Sequence, residues 1–129
     1  MELFAFRASG PYIVEEMTKK PQTLVYLFDA VCSINPLNYV SNIFLSAAPY
    51  NRFAQPQIYV LSKCDLLAKN DLNGITGWSD SLNSLEESID QLEGEKKLFS
   101  RNMVRAISQL GLRFKQTPIS AKTNQRVNN

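Results

Sequence analysis

The chain has 129 residues, 44% hydrophobic and 20% charged, with a formal net charge of +2. That is the length of one domain with an ordinary globular composition, and no apolar run approaches the roughly 20 residues of a bilayer span. Without a basic-then-apolar leader, the expected compartment is the cytoplasm. There is no histidine, and Cys32 and Cys64 have no CxxC spacing, which excludes the common His/Cys zinc sites and His-based acid–base chemistry. Both cysteines read as reduced, structural thiols. The charge is unevenly spread: up to Glu95 there are 6 Lys/Arg against 12 Asp/Glu, and from Lys96 onward there are 8 Lys/Arg and no acid. The basic stretch reads as a solvated helix face balanced by the acids before it. Nucleic-acid binding is the alternative.

Met1 to Met17 reads as helical, broken or kinked at Gly10-Pro11. Gln22 to Ala30 is the first strand, and its unbroken apolar run predicts burial on both faces, as in a central parallel strand. Asp29 at its end either approaches a ligand or organises the following turn. Asn35-Pro36 is a helix start, with Asn as N-cap and Pro at the first helical position. The helix is predicted to run to Ala48 and stop at Pro49. After Pro56 comes a second strand, Ile58 to Leu61, leading into Ser62-Lys63-Cys64-Asp65. Asn70 to Trp78 reads as a polar connector. A helix from Ser79 or Asp80 carries Leu82, Leu85, Ile89 and Leu92 on one stripe. Lys96 to Leu110 makes another helix, with Phe99, Met103, Ala106 or Ile107 and Leu110 inward and Lys97, Arg101 and Arg105 outward. Gly111 is the stop. Arg113 to Ile119 is the last strand, and the tail after Lys122 is expected to fray. The order of elements predicts an α/β fold: a three-layer α/β/α sandwich with a mostly parallel sheet.

In open α/β sheets, ligand groups gather past the carboxyl ends of strands. Ser62, Lys63 and Asp65 stand there. An ionised Asp accepts two parallel hydrogen bonds and so matches the N1–H and N2–H edge of guanine, which adenine does not present. The Lys63 stem can cover a base while its ammonium stays in water. The tetrapeptide alone also fits a plain solvated turn.

Later in the chain, Thr117-Pro118-Ile119 ends in Ser120-Ala121-Lys122-Thr123. The pair of motifs, in this order, resembles the N/TKxD and SAK elements of P-loop GTPases. Met1-Glu2-Leu3-Phe4-Ala5-Phe6-Arg7 resembles the segment directly after the DxPGQ motif of the GPN-loop GTPases. Leu27-Phe28-Asp29-Ala30, Ser62-Lys63-Cys64-Asp65-Leu66-Leu67 and Ser120-Ala121-Lys122-Thr123 follow in that family's order. The resemblance implies an incomplete P-loop NTPase-like fold, with residues 1–129 a single domain that forms the C-terminal portion of a GTPase domain. It implies GTP or GDP as ligand, held at the base by Ser62, Lys63, Asp65, Ser120, Ala121 and Lys122, with the Ala121 backbone N–H meeting guanine O6. It also implies a homodimer or a GPN-family partner, and a link to RNA polymerase assembly.

The sequence departs from the family at decisive places. It contains no GxxxxGK[ST], no DxPGQ and no Gly-Pro-Asn. Phosphoryl transfer depends on positioning and charge stabilisation by such parts, so GTP hydrolysis by this chain alone is not expected and no catalytic or Mg²⁺-binding residue is assigned. Ser62 replaces the usual Asn. The expectation is that Met1 is an internal methionine of a longer protein. The competing expectation is a nucleotide-free interaction module that kept the fold and lost the chemistry.

Overall fold

A computed structural model describes residues 7–17, 21–109, 114–123 and 125–126. In chain order these form α1 (Ser9–Met17), β1 (Leu24–Asp29), a 3-10 turn (Cys32–Ile34), α2 (Pro36–Phe53), β2 (Gln57–Ser62), a second 3-10 turn (Cys64–Leu66), α3 (Lys69–Asp80), α4 (Leu82–Asp90), α5 (Lys96–Gln109), β3 (Gln116–Ser120) and β4 (Gln125–Arg126). The fold is α/β, as expected from the sequence, with β1, β2 and β3 parallel in the order β1-β2-β3-β4 and the two-residue β4 antiparallel at the edge. β4 lies in the tail expected to fray. The predicted helical residues 1–6, and Leu110, Gly111 and Arg113, lie outside the described residues.

The core lies on one face of the sheet. Tyr26, Phe28, Tyr59 and Leu61 are buried in one cluster with Tyr39, Val40 and Ile43 of α2, Leu72 and Ile75 of α3, Leu85 and Ile89 of α4, and Val104 and Ile107 of α5. Aromatic rings run through it: Tyr39 packs on Trp78 with centroids 5.5 Å apart, and Tyr59 on Phe114 at the same spacing. Such pairs contribute about 0.5–1.5 kcal/mol beyond area burial. β1 departs from its predicted double burial. Val25 and Leu27, between the buried Tyr26 and Phe28, are exposed to 51% and 60%. The apolar run was compatible with either pattern, and β1 is an outer strand among the described residues.

Asn35 caps α2 as predicted, its side chain accepting from the Leu37 N–H at 2.9 Å with Pro36 in the first turn. Gly10-Pro11 lies in the first turn of α1, where a missing proline N–H costs nothing, and residues 7–8 just before this helix are not helical. Pro49 does not stop α2. It is buried inside the helix, which continues to Phe53 and ends at Ala54 in the left-handed region (φ 49°). An interior proline costs about 3 kcal/mol, which the packing of this helix face offsets. The expected connector 70–78 is helix: Leu72, Ile75 and Thr76 at i, i+3 and i+4 are buried, and that burial overrides the poor helix propensity of Asn, Asp and two glycines. In α5 the inward stripe keeps the predicted Ile107 and, partly buried, Met103, but turns away from Phe99. Ser100, Val104 and Ile107 are buried, whereas Phe99 is 67% exposed.

Pairing across α4 and α5 accompanies that rotation. Arg101 Nε lies 3.3 Å from Glu86 Oε1 and its Nη2 3.6 Å from Asp90 Oδ2, while Lys97 Nζ donates to the Asp90 carbonyl at 2.5 Å. The basic stretch therefore folds back on the acids of α4. Among the described residues, no helix is long and apolar enough to cross a membrane.

The rotated stripe has a measurable consequence. Phe99→Ala should change stability by no more than about 0.5 kcal/mol, as at an ordinary surface site. Ile107→Ala should cost about 2–5 kcal/mol. Denaturant melts of the two variants check this, and a larger loss at Phe99 would restore the sequence-based stripe.

Candidate functional site at the carboxyl ends of the strands

β1 and β2 pair in register from Leu24↔Gln57 to Asp29↔Ser62, so both strands end side by side. Two bonds close the pair. The Ala30 N–H donates to the Ser62 carbonyl at 3.0 Å, and the Ser62 hydroxyl donates to the Phe28 carbonyl at 2.9 Å. Ser62 thus holds the two strand ends together.

Lys63 turns the chain. It sits in the left-handed region at φ 61°, ψ 33°, a conformation costing a non-glycine residue about 1–2 kcal/mol, and opens the 3-10 turn Cys64–Leu66. Leu66 N–H closes on the Lys63 carbonyl at 3.1 Å. Cys64 is buried beneath the turn, its thiol donating to the Leu61 carbonyl at 3.1 Å. Burial pushes that thiol's pKa up, so it is not an activated nucleophile. Both cysteines are free, Cys32 exposed and Cys64 buried.

The turn leaves Asp65 exposed next to the end of β3. The buried Ser120 hydroxyl donates to Asp65 Oδ1 at 2.6 Å and accepts from the Thr123 N–H at 3.3 Å. Motifs 55 residues apart in sequence are thereby joined by one charge-assisted bond. Ala121 and Lys122 follow Ser120 in an exposed turn. The structure therefore brings Ser62, Lys63, Asp65, Ser120, Ala121 and Lys122 to one end of the sheet.

One member of this cluster was only half visible in the sequence. Asp29 does organise the turn after β1: its Oδ1 accepts from the Val31 N–H at 3.0 Å and the Cys32 N–H at 3.4 Å. Its Oδ2 also takes the Lys63 ammonium at 2.5 Å. The partners are 34 residues apart, and only the strand register reveals them. The hydrogen bond from Lys63, helped by the turn N–H groups, pulls the Asp29 carboxyl below its ordinary pKa, and the reciprocal bond raises Lys63.

A cavity of about 360 Å³ lies elsewhere, lined by Tyr39, Trp78, Leu82 and Phe114, and contains none of these residues. Among the described residues, no group of three or more Cys, Asp or Glu is placed to hold a metal ion.

Over residues 1–129 the sequence matches the family described as "Conserved hypothetical ATP binding protein". The chain belongs to that family, which is of the GPN-loop, P-loop-like type. Its fold is similar to that of a GTPase from Pyrococcus abyssi solved in the apo form, with a TM-score of 0.81 and 21% identity over 98% of this chain. The match covers 50% of that protein, so the chain spans about half the length of its solved relative.

The Asp29–Lys63 pair gives a pH signature. A depressed carboxyl pKa contributes stability that is present above the unfolded value, about 3.9, and is lost as pH falls through the folded one. Asp29→Asn should therefore lower the melting temperature at pH 6 to 8, and the gap from wild type should close below about pH 4. Thermal melts across pH 2 to 8 check this. A gap that persists at pH 2 would mean that the carboxylate charge does not carry the effect.

Proposed function

We propose that this chain is the base-recognition half of a guanine-nucleotide-binding protein, with GTP or GDP as ligand. The observation that carries the reading is the 2.6 Å bond from Ser120 to Asp65, which fixes an exposed carboxylate between the two strand-end loops. Oδ1 retains a second lone-pair direction, and among the described residues Oδ2 meets no donor. The carboxylate can therefore accept from guanine N1–H and N2–H together. Adenine would set its N1 acceptor against the same carboxylate, so an ATP-type base fits less well here than a GTP-type one. The Ala121 N–H is the donor for O6, and Lys63, tethered by Asp29, covers the ring.

The residues fit a base and not a triphosphate. The sequence has no GxxxxGK[ST] to cradle phosphates and no DxPGQ aspartate for Mg²⁺, so hydrolysis depends on a half of the domain that this chain does not supply. By resemblance, the complete protein is a cytoplasmic dimer that serves RNA polymerase assembly.

Binding should be weak. Charged-acceptor hydrogen bonds contribute about 1.5–3 kcal/mol each, and ordering ligand and loops takes back several. A net of about −4 kcal/mol corresponds to a Kd of about 1 mM. Ligand-observed NMR should show guanosine and GTP binding within a few-fold of each other, and adenosine more weakly. Asp65→Asn should abolish the guanine preference and favour xanthosine, whose O2 acceptor then meets the new amide donor. Equal binding of guanosine and adenosine, or tight Mg²⁺-dependent GTP binding, would overturn this reading.

A further inference from the structure

The cavity away from the strand ends is shaped for a small ligand. Its volume of about 360 Å³ falls within the range of about 300–1,000 Å³ for small-molecule pockets. Three aromatic side chains line it: Tyr39 of α2, Trp78 of α3 and Phe114 just before β3. The Tyr39 and Trp78 rings stand 5.5 Å apart at 57°. The Trp78 Nε1–H donates to the Ser88 hydroxyl at 2.9 Å, which pins the indole and occupies its one donor.

Tyr39 is fully buried, yet its hydroxyl has no hydrogen-bond partner among the described residues. Buried hydroxyls are ordinarily paired, and one left free beside a cavity marks a missing partner. Burial, and after it the Asp80 carboxylate, push its pKa up, so it stays a protonated donor. A second polar deficit lies next to the same space. The Gln116 N–H donates to the hydroxyl of Ser79, a lining residue, at 2.9 Å, while the buried Gln116 side-chain amide is unpaired at both atoms among the described residues.

The rim carries one charge of each sign. Asp80, the last residue of α3, and Lys115 both line the cavity, with Lys115 Nζ 3.3 Å from Asp80 Oδ1. Both side chains are exposed, so their mutual attraction is worth little and is readily exchanged for contacts to a ligand. A ligand with a single charge is attracted by one of them and repelled by the other, whereas a zwitterion satisfies both. Asp80 stands at the negative end of the α3 dipole, which favours an ammonium there and leaves Lys115 for a carboxylate.

We propose that this cavity binds a free aromatic amino acid with a hydroxylated ring, of which tyrosine is the simplest. The ring packs among Tyr39, Trp78 and Phe114, and its hydroxyl accepts from the Tyr39 hydroxyl. The α-ammonium meets Asp80 and the α-carboxylate meets Lys115. The site shares no residue with the guanine-reading loops and stands independently of them.

Trp78 is the chain's only tryptophan, so its fluorescence reports occupancy of the cavity that it lines. Titration with L-tyrosine should change that fluorescence saturably. L-phenylalanine, which lacks the hydroxyl, should bind about fivefold more weakly, the factor for one net hydrogen bond. Tyramine, without the carboxylate, and 3-(4-hydroxyphenyl)propionate, without the ammonium, should each bind more weakly than tyrosine. Tyr39→Phe keeps the ring and removes a hydroxyl that pairs with no described residue, so it should leave the fold intact and bring tyrosine and phenylalanine to equal affinity. Asp80→Asn, at an exposed position, should weaken tyrosine and leave 3-(4-hydroxyphenyl)propionate bound no less tightly. No saturable change with tyrosine overturns the proposal. A preference for tyrosine over phenylalanine that survives Tyr39→Phe overturns it as well, as does equal binding of all four compounds, which would leave only an apolar cavity.

Discussion

The in-register parallel pairing of β1 with β2 is the constraint on which the other features depend. Because the strands run the same way, their carboxyl ends fall together, and every polar residue that follows a strand arrives on one rim. A slip of one residue would send Phe28 and Leu61 to the open face and Leu27 and Val60 into the core. The aromatic packing of Phe28 with Tyr39 and Tyr59, at centroid distances of 6.2 and 6.0 Å, leaves no room for that exchange. Ser62 then fastens the strand ends through the Phe28 carbonyl. Asparagine is usual here in the family that the motifs resemble, and the shorter hydroxyl is committed to the neighbouring backbone.

Two side-chain links turn this rim into a cluster. Ser120 to Asp65 joins β3 to the turn after β2, and Lys63 to Asp29 joins that turn to the end of β1. The two links differ in kind. The Ser120 hydroxyl is buried and its acceptor exposed, so the bond fixes a carboxylate without removing it from water. The Asp29–Lys63 pair is open to solvent and is worth little as a stabilising contact. Its role is geometric: it holds a lysine whose backbone is already committed to the left-handed region. Strain of this sort is retained where the surroundings determine it, here by the 3-10 turn and the buried Cys64.

The helices complete one side only. α4 and α5 are matched by charge, with Glu86 and Asp90 against Arg101 and Lys97, and through α3 they close a core against Tyr26, Phe28, Tyr59 and Leu61. This accounts for the abrupt change of charge sign near Glu95, because the acidic and basic segments are successive antiparallel neighbours. It also leaves Val25, Leu27 and Ile58 exposed on the other face.

The sequence by itself determined the α/β class, the strands β1, β2 and β3, the Asn35 cap and the two strand-end motifs. Each rests on local chemistry: β-branched and aromatic runs, an Asx cap before proline, and small polar residues after apolar ones. Three outcomes were decided only by tertiary structure. Pro49 and the Asn70–Trp78 segment have poor helix propensity and are helical because burial outweighs about 1–3 kcal/mol of local preference. The inward stripe of α5 was ambiguous because Phe99 and Ile107 fit neighbouring stripes, and burial of Val104 and Ile107 in the assembled core goes with one of them. The burial of β1 on one face, and the meeting of Asp29 with Lys63 and of Asp65 with Ser120, follow from which strand lies beside which. Periodicity along a single strand carries no information about its neighbours, so only the assembled sheet could decide them.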